Sequence, residues 1–333
     1  MADTTSAPRL TVTGEALVDL IPDRSSGGYL ARPGGSPFNV AIGLARLGHR
    51  ATLMARLADN AFGRLLRAHA QAEQLDLSHA PAATQPTTLA VVSLDRDAQA
   101  SYDFYLQGTA DWQWTDAELA RVPGDTAVFH FGSLASWTPP GAERIHAAAA
   151  RLRRDGEVAV SYDPNIRPTL LGAPDDARAL VERSVSVAHI VKASREDVSW
   201  LYPHVSLTEV GARWAELGAL VVVITDGPDG AAVFLPGEAP ARRPGRKVQV
   251  ADTIGAGDAF TAGLIGGLAR RGMTTPSLLR GCPPAMAAEA VDEAILISAL
   301  TCERSGADPP FLAARPTRNP GAPLTAADLV FVD

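Results

Sequence analysis

Residues 252–260 read DTIGAGDAF, with two aspartates, Asp252 and Asp258, around glycines at 255 and 257. A loop of small residues running into a helix presents backbone N–H groups and the positive end of the helix dipole to an anion. This loop also carries carboxylates of its own, which repel a bound phosphate, so an acid kept there needs a role that outweighs the repulsion. General-base catalysis supplies one. Asp258 takes a proton from an acceptor hydroxyl while the loop amides stabilise charge on a transferring γ-phosphoryl group. The local alternative makes Asp258 a helix N-cap, a position where Asp is favoured anyway. Two other phosphate motifs are excluded. No lysine follows the second glycine, so a Walker A loop fails, and Phe260 stands where a dinucleotide fingerprint needs its third glycine.

A second glycine motif, PGGSPFNVAIGLARLGH at 33–49, has Gly34-Gly35, a cap-like Ser36, Pro37 at the first helical position and Gly48 closing the helix. Val40, Leu44 and Leu47 give this helix an apolar face. Asn39 falls in its first turn, where the amide can reach a ligand lying across the glycine pair.

The elements that must hold these motifs alternate along the chain. LTVTG (10–14), AVFHF (127–131), EVAVSY (157–162), HIVK (189–192) and ALVVVI (219–224) read as buried strands, and 247–251 as a further strand leading into the glycine loop. Helical stretches at 140–154, 175–187 and 206–217 separate them. Strands without polar alternation, spaced by helices, imply a mainly parallel sheet covered on both faces, with ligands at the carboxyl ends of its strands. Residues 15–33 and 86–106 lack a helical period and contain alternating pairs. They predict a small sheet standing over a site as a lid, the alternative being an antiparallel edge of the main sheet. The tail from Arg315 to Asp333, with Pro316, Pro320 and Pro323, reads as loosely held surface chain.

Bulk properties narrow the class. The chain has 333 residues, 46% of them hydrophobic, and a net charge of -7, which argues against a nucleic-acid binder. Two cysteines, Cys282 and Cys302, build neither a disulfide framework nor paired metal-ligand spacing. The N-terminus lacks the basic-then-apolar order of a signal peptide, and the longest apolar runs are far short of a membrane span. A cytoplasmic protein without membrane or nucleic-acid partners is expected.

GGSPFNVAIGLARLG and DTIGAGDAFTAG together resemble the two signatures of the PfkB (ribokinase-like) carbohydrate kinases. GEALVDLIP near the start, ADNAFG at 58–63, FYLQGTADW at 104–112, DPNIRP at 163–168 and TDGPDG at 225–230 follow in the family's order, so the resemblance covers roughly residues 10 to 317. It looks most like the fructokinase branch. It implies a three-layer α/β/α sandwich with a mainly parallel central sheet and a small β lid, as one domain over 1–317 with a C-terminal tail at 318–333.

The resemblance makes Asp258 the catalytic base, with Gly255, Ala256 and Gly257 supplying the anion-hole amides and Asp252 and Thr253 shaping the loop. Asp19, Gly34, Gly35 and Asn39 would hold sugar hydroxyls, since a carboxylate and an amide satisfy adjacent groups of a polyol. A turn residue after the GEALV strand is the other reading of Asp19. Arg167 would meet substrate or phosphate oxygens, with a surface salt bridge as its rival. KASREDV at 192–198 resembles the family's Lys-x-Asn-x-x-Glu element, which assigns Lys192 and Ser194 to the nucleotide. Spacing puts Asp197 first, and Glu196 second, as the acid that holds Mg2+ through water. Thr225, Gly227 and Gly230 resemble a nucleotide-side turn, and fit a plain hairpin turn equally well. Thr253 and Gly257 complete the nucleotide set. The helix at 285–301 and the SGA at 305–307 would flank the adenine.

The expected reaction is ATP-dependent phosphorylation of a hexose hydroxyl, fructose going to fructose 6-phosphate, with ATP and Mg2+ and, as in many relatives, a monovalent cation such as K+. Within the same class, 2-keto-3-deoxygluconate kinase and ribokinase are the rivals. A keto-acid needs a positive partner such as Arg167 or Arg32, while FYLQGTADW offers no basic residue. A catalytically silent sugar or nucleotide sensor is the reading from another class; an NAD-dependent reductase is disfavoured by the broken fingerprint. Open lid strands are expected to pair with a second subunit as a homodimer.

Overall fold

The structure, a computed structural model, describes residues 7–23, 25–94, 100–313 and 322–332. Eight strands build the central sheet: β1 (Arg9–Thr13), β4 (Arg50–Met54), β9 (Thr126–Gly132), β10 (Ala159–Asp163), β11 (Ile190–Ser194), β12 (Val221–Thr225), β13 (Ala231–Phe234) and β14 (Ala241–Arg243). Their order is β14-β13-β12-β11-β10-β9-β1-β4. From β4 to β12 neighbours run parallel; β13 and β14 are added antiparallel at one edge. The parallel strands are buried along almost their whole length, because helices cover both faces and leave no wet side to alternate with.

The longer helices are α1 (Ser36–Arg46), α2 (Ala61–Ala72), α4 (Gly141–Asp155), α6 (Pro174–Val185), α8 (Leu207–Glu216), α9 (Ala256–Arg270) and α11 (Pro284–Cys302). Shorter turns are α3 (Asp116–Leu119), α5 (Pro168–Leu171), α7 (Arg195–Leu201) and α10 (Pro276–Arg280). Leu44, Leu264 and Val291 place α1, α9 and α11 in the core on one face. Ile145, Val181 and Trp214 place α4, α6 and α8 on the other. Helix α9 is apolar around most of its circumference because it is packed between α1 and α11. A Cβ on Gly263 would lie 2.8 Å from the Ala294 Cα, so that glycine sets how closely α9 and α11 approach.

The remaining strands stand apart. β2 (Leu17–Asp23), β3 (Gly28–Gly34), β7 (Leu89–Leu94) and β8 (Ala100–Tyr105) form their own four-stranded sheet in the order β3-β2-β7-β8. This is the small separate sheet expected of these segments, and the alternative of an antiparallel edge of the main sheet falls: no ladder joins the two sheets among the described residues. The five residues 95–99 of the expected lid segment lie outside those described. Two small pairs complete the set, β5 (Leu57–Ala58) with β6 (Ala82–Ala83) and β15 (Phe311–Leu312) with β16 (Leu329–Val330).

Three local expectations change. Residues 247–251 form no strand: Val250 is exposed, and the Ala251 amide bonds the Cys302 carbonyl at the end of α11 (2.8 Å). The polar–apolar alternation there belongs to chain lying on the surface. Gly35, not Ser36, is the N-cap of α1, so Ser36 is its first residue and Pro37 its second. The C-terminal segment 322–332 is docked rather than loose, with Leu324 and Leu329 buried and the Leu324 amide on Glu293 (2.9 Å). Residues 314–321 of that tail are outside the described set.

Candidate active site

The first turns of α1 and α9 meet above the carboxyl ends of the central strands. Gly255, in the left-handed region at φ 74, is the N-cap of α9, and no side chain caps the helix start. Asp258 is therefore the third helical residue, and the N-cap alternative falls. Its carboxylate leaves its own helix and takes bonds from the other motif. Ser36 Oγ donates to Oδ1 (2.6 Å) and Asn39 Nδ2 donates to Oδ2 (2.8 Å), across 222 and 219 residues of sequence. Burial raises the Asp258 pKa above the usual carboxylate value, the two hydrogen bonds pull it down, Asp163 pushes it up and Lys192 lowers it. The net direction is upward, toward a better base at neutral pH.

Lys192, near the end of β11, lies beside this loop: a Cβ on Gly257 would sit 3.3 Å from its Nζ. The ammonium pairs with Asp163 Oδ2 at 3.0 Å, with the two side chains 7% and 3% exposed. Burial pulls the lysine pKa down, but Asp163, Asp197 and Asp258 outweigh it, so the group stays charged. Asp163, the last residue of β10, also accepts from Thr261 Oγ1 (2.9 Å), one turn after Asp258. Uncapped amides and a buried cation thus face one space, a setting that attracts phosphate.

The other side of the space is built by the four-stranded sheet. Asp19 on β2 reaches over Gly34 on β3; a Cβ on Gly34 would lie 2.2 Å from Asp19 Oδ2, so that position has room for the carboxylate only as glycine. Gly35 follows at φ 106, where its hydrogen faces the Glu15 carbonyl and a Cβ would come within 2.7 Å of that oxygen. Burial raises the Asp19 pKa to about 6; Arg167 lowers it and the Asp258 charge raises it. Arg167 Nη1 is held by Asn165 Oδ1 (2.9 Å) and the Ile166 carbonyl (3.0 Å). No carboxylate ion pair is recorded for Arg167 among the described residues, against the surface salt-bridge reading. A basic carboxylate, an arginine and an anion-attracting loop therefore converge, which is what phosphoryl transfer to an alcohol requires.

The model for pfkB family carbohydrate kinases matches residues 7–314. The chain belongs to the pfkB family. Among relatives, a fructokinase of Klebsiella pneumoniae is 34% identical over 287 residues, covering 84% of this chain and 90% of that one. The fold is similar to that of Xylella fastidiosa fructokinase with bound ATP, with a TM-score of 0.81, 26% identity, and 90% and 93% of the two chains covered. It is also similar to a Vibrio cholerae O395 fructokinase double mutant in a form with fructose, ADP and potassium ion bound. There the TM-score is 0.78 and the identity 32%, over 91% of this chain and 94% of that one.

In this pfkB kinase the remaining candidates sort by geometry. Ser194 ends β11 opposite Thr225, which ends β12. Gly227 and Gly230 lie in the turn that joins β12 to β13, and a Cβ on Gly230 would come within 2.0 Å of the Arg243 carbonyl. Close backbone packing alone accounts for Gly230, as the hairpin reading has it. Thr253 is exposed, and its carbonyl accepts from the Ala256 amide (3.3 Å). Asp197, preferred on spacing as the metal-side acid, is buried and accepts from two amides, Oδ2 from Ser194 (3.0 Å) and Oδ1 from Ile166 (2.9 Å). Each oxygen has a further lone pair, and Glu196 is exposed on the same turn, so the geometry leaves both acids as candidates. Among the described residues no three His, Cys, Asp or Glu cluster as a metal cage.

Sequence reasoning passed over Ser36, Asp163 and Thr261. Ser36 had the appearance of a cap, and its true partner is far away in sequence. Asp163 was visible, as an acid closing a predicted strand in DPNIRP, and its pairing with Lys192 follows from their positions on adjacent strands β10 and β11.

Proposed function

We propose that this pfkB kinase transfers the γ-phosphoryl group of ATP to a hydroxyl of fructose, giving fructose 6-phosphate and ADP. The observation that carries the reading is the Asp258 carboxylate, fixed by Ser36 and Asn39 beside uncapped loop amides. The fructokinase relatives with fructose, ADP or ATP bound support the choice of sugar and donor. Asp19, Arg167 and the Gly34–Gly35 backbone bind and orient the sugar. Asp258 accepts the proton of the attacking hydroxyl as its oxygen forms the new P–O bond, and the bridging oxygen leaves with ADP. The amides of Gly255 and Gly257 and the Lys192 ammonium face the charge that accumulates on the phosphoryl oxygens, and the Ala256 amide joins them on releasing its long bond to the Thr253 carbonyl (3.3 Å). Asn39 holds Asp258 through Nδ2, in addition to the sugar contact expected of it.

Ser194, Thr225 and the Gly227 turn lie on the nucleotide side. Asp197, with exposed Glu196 beside it, is the acid of this element that would meet a hydrated Mg2+, which when bound would neutralise phosphate charge. A monovalent cation such as K+ fits the neighbouring loop, where Asp252 bonds the Ile254 and Gly306 amides (3.1 and 2.9 Å) and leaves carbonyls as donors. The four-stranded sheet is the lid over the sugar, and its open edges on β3 and β8, near exposed Tyr29 and Tyr105, are where two copies pair.

A coupled ADP-release assay over fructose, ribose, 2-keto-3-deoxygluconate and a nucleoside tests the assignment. Fructose is expected to give the highest kcat/KM, and turnover confined to another substrate would remove it. Asp258→Asn is expected to lower kcat by about 10² or more, the usual contribution of general-base catalysis. An unchanged rate in that variant would remove Asp258 from the mechanism, and only a wild type without turnover on any substrate would favour the sensor reading.

A further inference from the structure

Glu15, in the GEALVDLIP stretch, is wholly buried where the chain leaves β1 for the lid, and the reaction above gives it no part. Its Oε2 accepts from the Ala135 amide in the turn after β9 (3.0 Å). Its other oxygen closes no bond of good geometry, although the adjacent Ser133 hydroxyl stabilises the ionised form. The Ser133 contact is therefore a near approach rather than a full bond. From there the bonds are closed and run in one direction. Asn165 Nδ2 donates to Ser133 Oγ (3.0 Å), and Arg167 Nη1 donates to Asn165 Oδ1 (2.9 Å). Ser133 and Asn165 both stand at positive φ, 53 and 41, a costly conformation for residues that are not glycine. Two strained residues in one chain of side chains between a buried carboxyl and a substrate-side guanidinium call for a purpose.

We propose that Glu15 is a positioning residue for Arg167, acting through Ser133 and Asn165, so that the root of the lid and the arginine facing the sugar are set together. Asp111 fixes the same root from the point where the chain returns from the lid: its Oδ1 accepts from the Ala16 amide (2.9 Å). The charged groups around this path are Asp111, with Arg56 near it, at one end, and Arg167 with Asp19 at the other. Burial pushes the Glu15 carboxyl up to about 7. In its ionised form the carboxylate is a strong acceptor for the end of a donor chain.

The inference rests on the sugar-kinase reading, and steady-state kinetics of Glu15→Gln, Asn165→Gly and the double variant, with fructose and ATP varied separately, test it. Glu15→Gln keeps the shape and an acceptor for the Ala135 amide but sets donors against the Ser133 hydroxyl. The fructose KM is expected to rise about five- to tenfold in each single variant, with the ATP KM unmoved. The double variant is expected to be no worse than Asn165→Gly, since both changes break one path. Additive effects, or equal changes in both KM values, would overturn the relay. If Glu15→Gln does not fold, Ser133→Gly removes the middle of the path at a φ that glycine accepts, and the same outcomes decide. The wild-type substrate panel judges the kinase reading alone, and whichever sugar it accepts serves as probe; a wild type that accepts none sinks both.

Discussion

Asp258 and Asp19 are two carboxylates near enough for the charge of one to act on the other, and their surroundings separate them. Asp258 is paired with neutral donors that orient it, while Asp19 lies near Arg167 and is pushed up to about 6 mainly by burial. If Asp19 accepts sugar hydroxyls, only its ionised form binds. The fructose KM is then low above pH 6 and rises as pH falls through that value. For stability the sign is opposite: a carboxyl raised above its ordinary 3.8 favours the folded state most where it is protonated, and that contribution is lost as pH rises through about 6. A pH series of kcat/KM for fructose is expected to show an acid limb near 6 that disappears or moves in Asp19→Asn; an identical limb in that variant would assign it elsewhere. At this scale the sequence pointed to Asp258 and its glycines, because few other roles suit an acid in an anion loop. It did not show that Asp197 also closes a capping box with Ser194, since that box and a metal-side element share one spacing.

Among elements, the joint between lid and body is the most constrained. At Gly34 the lid strand β3 passes under the Asp19 carboxylate with no space for a methyl group. Gly34→Ala is expected to push Asp19 aside, raising the fructose KM by about tenfold or more while shifting Tm by only a few degrees. A variant with normal fructose kinetics would show that Asp19 does not hold the sugar. The buried strands were legible within one or two residues, since parallel strands covered on both faces read as unbroken apolar runs. The 247–251 run failed because alternation on a solvent-exposed segment has no sheet to answer to, and pairing is a tertiary fact. The separate sheet was legible from 15–33 and 86–106, but the parallel pairing of β2 with β7 was not.

For the whole molecule, the four-stranded sheet leaves β3 and β8 without a further strand among the described residues and exposes Tyr29 and Tyr105, an arrangement that single chains seldom leave open. Sedimentation velocity is expected to find a dimer that Tyr105→Glu converts to monomer; a wild type that stays monomeric at tens of micromolar would exclude pairing through the lid. The layered architecture was readable from the alternation of strands and helices. The docking of 322–332 was not, because three prolines announced a loose end while two leucines decided the outcome through contacts with α11 and the chain before it.

The bonds from Ser36 and Asn39 to Asp258 also bear on how the enzyme comes into being. During synthesis the holder of the base emerges early and waits unoccupied until more than two hundred further residues have left the ribosome. A product that ends before that aspartate carries all eight strands of the central sheet but lacks α9 and α11, which cover one of its faces. On the proposed mechanism the ability to activate an alcohol is completed only by the last quarter of the chain.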